Sequence, residues 1–195
     1  MDDLNLPNVH NILYPSQSQS TLAHGTITQE RIELLNNYID GKNYLKALPI
    51  GTPTRWSSFR SLLFQDHTIT PHSYHLGNSQ IIFQNQPDDD ALVEGTVEGI
   101  YEEENLKQKF LVVKRYLPLE PIDQGQDPFS HLGIWHTRMV YQDTGKPFVI
   151  EEGAVRAQFA SVKYYAAQSR TIKDTLCIAS INFGVSASYP SHSCK

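Results

Sequence analysis

The sequence predicts a mainly β fold with one or two α-helices, curled into a small antiparallel sheet or a partly open barrel. Three observations lead there. Only one segment spaces its apolar residues at a helical period. Most of the remainder breaks into short runs rich in β-branched and aromatic residues. Clusters of Gly, Pro, Asn and Asp separate those runs. No internal repeat is visible.

Residues 1–25 are polar, carry Pro7 and Pro15, and contain the tract SQSQS at 16–20. Such a segment buries too little apolar surface to offset its ordering entropy, and a flexible arm is expected. A single domain is expected over 26–185, with a polar tail over 186–195. The helical segment is TITQERIELLNNYIDGKNY. Thr26 with Gln29 fits a capping box, and Thr28 is an alternative N-cap. Ile32, Leu34, Leu35, Tyr38 and Ile39 form one apolar face, and Gly41 is expected to supply a left-handed stop.

From Thr54 the pattern changes. TRWSSFRSLLF reads equally as a helical turn or a first strand. Gly77-Asn78 breaks the next run, and SQIIF follows with strand character. Pro87 to Asp90 reads as a loop. In LVEGTVEGIYEEE two glycines suit a bulge or a tight bend. EEENLKQ is the turn to an antiparallel partner, KFLVVKRYLPL. DTGK is expected to turn between WHTRMVYQ and PFVIEE. AVRAQFASVKYYAA is expected to close the barrel, with TLCIASINFGV added after it.

The run from Lys109 to Pro121 poses a question of its own, because an apolar strand passes directly into Lys114 and Arg115. Side chains alternate along a strand, so Leu111, Val113 and Arg115 share one face and Val112, Lys114 and Tyr116 the other. The charges then mark where a core strand emerges, and Pro118 and Pro121 end its pairing.

Composition limits the function classes. The formal charge of −5 argues against broad, sequence-independent binding to a phosphate backbone, though a local basic patch remains open. Two cysteines, Cys177 and Cys194, do not make a disulfide framework, which points to a reducing compartment. The first residues lack the basic and apolar regions of a secretory signal, and no apolar run is long enough to span a membrane. An intracellular protein with no membrane partner is expected.

Among candidate sites, DHTITPHSYH brings Asp66, His67, His72 and His75 close in sequence. Imidazole and carboxylate suit zinc, but the spacing fits no recognised ligand set, and solvated loop histidines are the expectation. GNS at 77–79 is not a nucleophile elbow, and neither cysteine has an activating setting. The carboxylates Glu102–Glu104 and Asp88–Asp90 fall in predicted turns, where solvated charge is expected. No phosphate-cradling glycine loop is present.

Val93 to Val162 resembles the bromo-adjacent homology (BAH) domain in its strand motifs. Val113, Tyr116 and Pro118 match one such motif, whose tryptophan is absent here. Val140 and Tyr141 match a second, and Val149, Val155 and Phe159 match a third in spacing. A closer resemblance is to an accessory domain of fungal transposons of the Plavaka and KDZ kind. It is carried by GNSQIIF (77–83), GTVEGI (95–100), FLVVKRYLPL (110–119), DPF (127–129) and VRAQFA (155–160), which together cover about half of the chain. The resemblance implies a BAH-like barrel acting as a non-catalytic chromatin or protein-interaction module, derived from a transposable element. It implies protein partners such as a histone tail, nuclear placement, and no cofactor.

In BAH-like readers, aromatic side chains box a methylated ammonium group through cation–π attraction. Tyr101, Tyr116, Trp135 and Tyr141 are the cage candidates here, and Lys107, Lys109, Lys114, Arg115 and Arg138 form a candidate basic strip. Two alternatives stand beside this reading: a metal-dependent or hydrolytic enzyme built on His67, His72 and His75, and a structural domain without a ligand.

Overall fold

The computed structural model describes residues 26–47, 49, 51–85, 91–130 and 137–181. The expected N-terminal arm, the polar tail, the Pro87–Asp90 loop, Trp135 and Cys194 lie outside these residues.

The one amphipathic segment forms α1, Gln29–Gly41, with Thr28 as its N-cap; the Thr28 side chain accepts a hydrogen bond from the Arg31 backbone N–H. The left-handed residue expected at Gly41 is Asn43 instead (φ 60°), two residues further on. Gly41 keeps a helical backbone, and asparagine tolerates the left-handed region well.

Among the described residues nine strands follow: β1 Trp56–Phe59, β2 Leu62–Phe64, β3 His67–Ile69, β4 Gln80–Gln84, β5 Leu92–Glu103, β6 Gln108–Pro118, β7 Thr137–Glu151, β8 Val155–Tyr164 and β9 Thr175–Ser180. A short helix, α2 (Ala166–Ser169), sits between β8 and β9. The stretch from Thr54, ambiguous in sequence, is therefore strand. β2 and β3 form a separate hairpin.

The main sheet runs β1-β5-β4-β8-β9-β7-β6, and an additional β5–β6 pairing joins its ends. Six strands thus close into an antiparallel ring, a barrel topology, rather than the partly open one expected. β8 is not the closing strand: β9 lies between β8 and β7, and closure falls to β5 and β6. Nor does DTGK turn. β7 runs through it as one strand of 15 residues. Its first residues, 137–141, pair with β9, and the strand's other neighbour is β6, so the segments flanking DTGK do not need each other as partners.

The chain divides into two compact units. Of the described residues, one unit comprises those up to Ser79 together with Val97–Val113 and Phe148–Glu152; the other comprises those within Gln80–Thr96, within Lys114–Pro147 and from Gly153 on. In the first unit, Leu35 and Ile39 of α1 pack on Phe110 and Val112 of β6 and Val149 of β7. Tyr38, Tyr44 and Trp56 meet the Phe110 ring edge-on at 5.7–5.9 Å between centroids. The Tyr38 hydroxyl donates to Glu151 at 3.1 Å, and burial, reinforced by that carboxylate, raises its phenol above the ordinary value. This packing answers the question raised by Lys109–Pro121. Phe110 to Val113 are all buried, so the strand is covered on both faces here, and one cover is α1. Lys114 and Arg115, just beyond, are half-buried.

In the second unit, Ile82, Tyr116, Val140, Ala157, Phe159, Leu176 and Ile178 form one buried cluster, and Leu119, Met139 and Tyr141 form another. Between Ile82 and Phe83 the pairing of β4 with β8 shifts register. Gly95 serves close approach. A Cβ there would stand 2.6 Å from the Lys114 carbonyl oxygen and 3.0 Å from the Phe83 ring. Because the first obstacle is backbone, Gly95→Ala is expected to lower stability by about 2 kcal/mol. Denaturant unfolding checks this, with Gly153→Ala, whose Cβ would meet nothing within 4 Å, as the control.

Glu102–Glu104 is not a solvated turn. All but Glu104 belong to β5, and Glu103 is 0% exposed. Its carboxylate accepts from the backbone N–H groups of Arg55 (2.9 Å), Asn105 (2.8 Å) and Leu106 (2.8 Å), and from the Asn105 amide (3.0 Å). It organises the β5–β6 turn, whose last residue, Lys107, takes a left-handed backbone (φ 54°). Among the described residues, no helix is long and apolar enough to cross a membrane.

Candidate functional site

Antiparallel order brings the start of β5, the end of β6 and the start of β7 to the same end of three neighbouring strands. In the second unit these strand ends and the residues after β6 enclose a cleft of about 490 Å³. Its apolar wall includes Leu92, Tyr116, Leu119, Met139 and Val140. Strand ends around a barrel mouth are a common place for a binding site, because neighbouring strands there hold side chains in fixed relation while the loops leave space.

Among the described residues, four charged side chains line the cleft: Glu94, Arg115, Asp127 and Arg138. Arg138 pairs with Glu94 and also donates to the Leu92 carbonyl at 3.3 Å. Asp127 is taken up by the chain itself. One oxygen accepts from the Phe129 N–H at 2.9 Å and the other from the Met139 N–H at 3.1 Å, which ties the segment after β6 to the start of β7. Nearby, burial and then the Asp127 charge push the Cys177 thiol above its ordinary value, so it stays protonated at neutral pH.

The three described cage candidates fall in both units. Tyr101 belongs to the first unit. It lines a second cleft of about 250 Å³ there, and its ring end lies 2.5 Å from where a Cβ on Gly99 would stand. Burial raises its phenol, opposed by the Arg31 charge and reinforced by Glu98. Tyr116 and Tyr141 lie in separate clusters of the second unit. Tyr116 packs edge-on against Phe159 at 6.2 Å, and one side of it borders the 490 Å³ cleft. Tyr141 is 1% exposed. Its hydroxyl donates to Asp123 at 2.6 Å and accepts from the Glu120 N–H, and Lys173 already stands 5.3 Å from its ring centroid. Trp135 lies outside the described residues.

The candidates for the basic strip also fall in both units. Lys107 is exposed in the β5–β6 turn, and Lys109 lies over the Phe59 ring at 5.6 Å; both are in the first unit. Lys114, Arg115 and Arg138 are in the second, where Lys114 and Arg115 point to opposite faces of β6 as consecutive strand residues. His67, His72 and His75 are exposed, and His75 Nδ1 accepts from the Asn78 N–H as a local turn contact. Among the described residues no three His, Cys, Asp or Glu side chains gather as a metal site.

Tyr116, Arg115 and Arg138 are thus the sequence candidates that share a site. Leu92, Glu94, Leu119, Asp127 and Met139 join them there without having been singled out. The motifs DPF, which contains Asp127, and FLVVKRYLPL, which ends at Leu119, were the hints available for these five. Comparison with family models, curated proteins and solved structures finds no match, and nothing in it links the chain to BAH domains or to Plavaka-type transposons.

Proposed function

We propose that this protein is a non-catalytic interaction module, and that the cleft at the ends of β5, β6 and β7 receives a segment of a partner protein. One observation carries the reading. The cleft has an apolar wall, and most of its charged groups serve the structure: Arg138 and Glu94 neutralise each other, and Asp127 is held by two backbone N–H groups. A reaction needs a group free to take up or give a proton or to attack, and here those groups are committed. A half-apolar cleft with fixed polar edges suits recognition.

The BAH-like character, a chromatin partner and descent from a transposable element belong to this reading through the strand motifs alone. A methyl-lysine cage draws no support from the positions of Tyr116 and Tyr141, which have their own packing partners.

The test is a backbone amide spectrum of the full chain, recorded with peptides recovered from a phage-displayed random library and with a panel of histone-tail peptides. Saturable shifts centred on Leu92, Tyr116, Leu119 and Met139 are the expected result. Recovery of no peptide, or shifts that map elsewhere, overturns the assignment of the cleft. Shifts there from histone tails specifically would favour the chromatin form of the reading.

A further inference from the structure

The charge balance of the same cleft says more about what it takes. Of its four charged lining residues, three are accounted for within the chain: Glu94 and Arg138 by each other, and Asp127 by the N–H groups of Phe129 and Met139. Arg115 is the exception. It is half-buried on β6, and among the described residues its guanidinium meets neither a carboxylate nor another acceptor. A guanidinium in that position keeps its planar set of donors available for a group that matches them, and a carboxylate accepts two parallel N–H bonds from it. The chain that follows it supplies apolar lining to the same cleft: Tyr116, Pro118 and Leu119.

We infer that the partner segment places a carboxylate on Arg115 and an apolar side chain against Tyr116 and Leu119, so that the ligand class is an extended peptide with an acidic residue beside an apolar one. This rests on the reading of the cleft as an interaction site. A nucleic acid fits less well, because a phosphate backbone asks for several cations along its track, whereas among the described residues the cleft offers one unspent cation on a chain of net charge −5. A basic segment would leave Arg115 facing like charge.

The experiment uses the full chain as bait for a phage-displayed random heptapeptide library. Recovered sequences are then synthesised in two forms, one as selected and one with Asp and Glu replaced by Asn and Gln, and titrated by fluorescence anisotropy. The expected result is enrichment of Asp or Glu next to an apolar residue, with the amide forms binding roughly tenfold or more weakly. Arg115→Gln should weaken the acidic form by a similar factor and leave the amide form unchanged. An unchanged thermal midpoint for that variant shows that the loss is local. Cleft-binding peptides without acidic enrichment, or equal weakening of both forms in Arg115→Gln, overturn the carboxylate inference while the interaction site stands. Failure to recover any peptide that shifts cleft resonances overturns both.

Discussion

Glu103→Ala is expected to destabilise the fold by about 3 kcal/mol, read as a lower midpoint in denaturant unfolding at neutral pH. The reason is local. The side chain is fully buried and receives three backbone N–H groups and one amide at 2.8–3.0 Å. Truncation leaves those donors without an acceptor inside the protein, and buried donors without acceptors are among the costliest losses a single substitution can make. Arg55 lies just before β1 and the other donors lie in the β5–β6 turn, so the substitution loosens both at once.

The same group makes a prediction in acid. Burial alone would raise the Glu103 carboxyl, but the hydrogen bonds from Arg55, Leu106 and Asn105 outweigh it and hold the group below its ordinary value of 4.5. A depressed carboxyl stabilises the folded state above its unfolded pKa, and that contribution is lost as pH falls through the folded value. The wild-type chain should therefore lose stability below about pH 4.5 more steeply than Glu103→Gln, which has no proton to take up there. Parallel slopes for the two proteins between pH 5 and pH 2, as order-of-magnitude limits for carboxyl titration, would sink the assignment.

Asp123→Ala is the second large effect, also about 3 kcal/mol. Asp123 is 3% exposed, and its Oδ2 accepts from both the Tyr141 hydroxyl (2.6 Å) and the Ile172 N–H (3.0 Å). The carboxylate therefore joins the segment after β6 to β7 and to the segment before β9. Tyr141→Phe keeps the ring and removes only the hydroxyl, so about 1–2 kcal/mol is expected from it alone. In a double-mutant cycle the two substitutions should cost clearly less together than their sum, since each removes the same hydrogen bond. Additive losses would mean that the contact contributes nothing. Burial first, then the bond to Asp123, raises the Tyr141 phenol above its ordinary 10.0. That contribution is present below the unfolded value and fades as pH rises through the folded one, so Tyr141→Phe should lose less stability in alkali than wild type.

Local physics made some of this fold legible in sequence. Thr28 and the spacing of Leu35 and Ile39 announced α1 and its buried face, and the helix docks where those residues point. The β5–β6 hairpin was legible because both strands and their turn are adjacent in the chain. DTGK misled because turn chemistry states only what a segment can do. Whether it turns depends on which strands its flanks pair with, and those partners are β9 and β6. Glu103 misled for a related reason: its two acidic neighbours look like solvated charge, and nothing in EEE reveals that backbone donors near residues 55 and 105 converge on the middle one. Tyr116 and Tyr141 could be read as cage or core, and their contacts with Phe159 and Asp123 come from strands and loops distant in the chain. The cleft was not legible as a unit. Its walls come from positions near 92, 116 and 139, which only the strand order makes neighbours.

The place of β9 in the strand order governs how the protein can be made. β4, completed by residue 84, has β8 as one of its two neighbours, and β8 begins at residue 155. β7 must likewise await β9, which ends at residue 180. A chain emerging from the ribosome can therefore form the local β5–β6 hairpin early, but β4 and β7 keep unpaired edges until β8 and β9 have emerged. Unpaired strand edges invite pairing with other chains. Nascent copies truncated within β8 or β9 should for that reason be the species that chaperones capture, whereas the finished ring, once its last strand is in place, offers them little to hold.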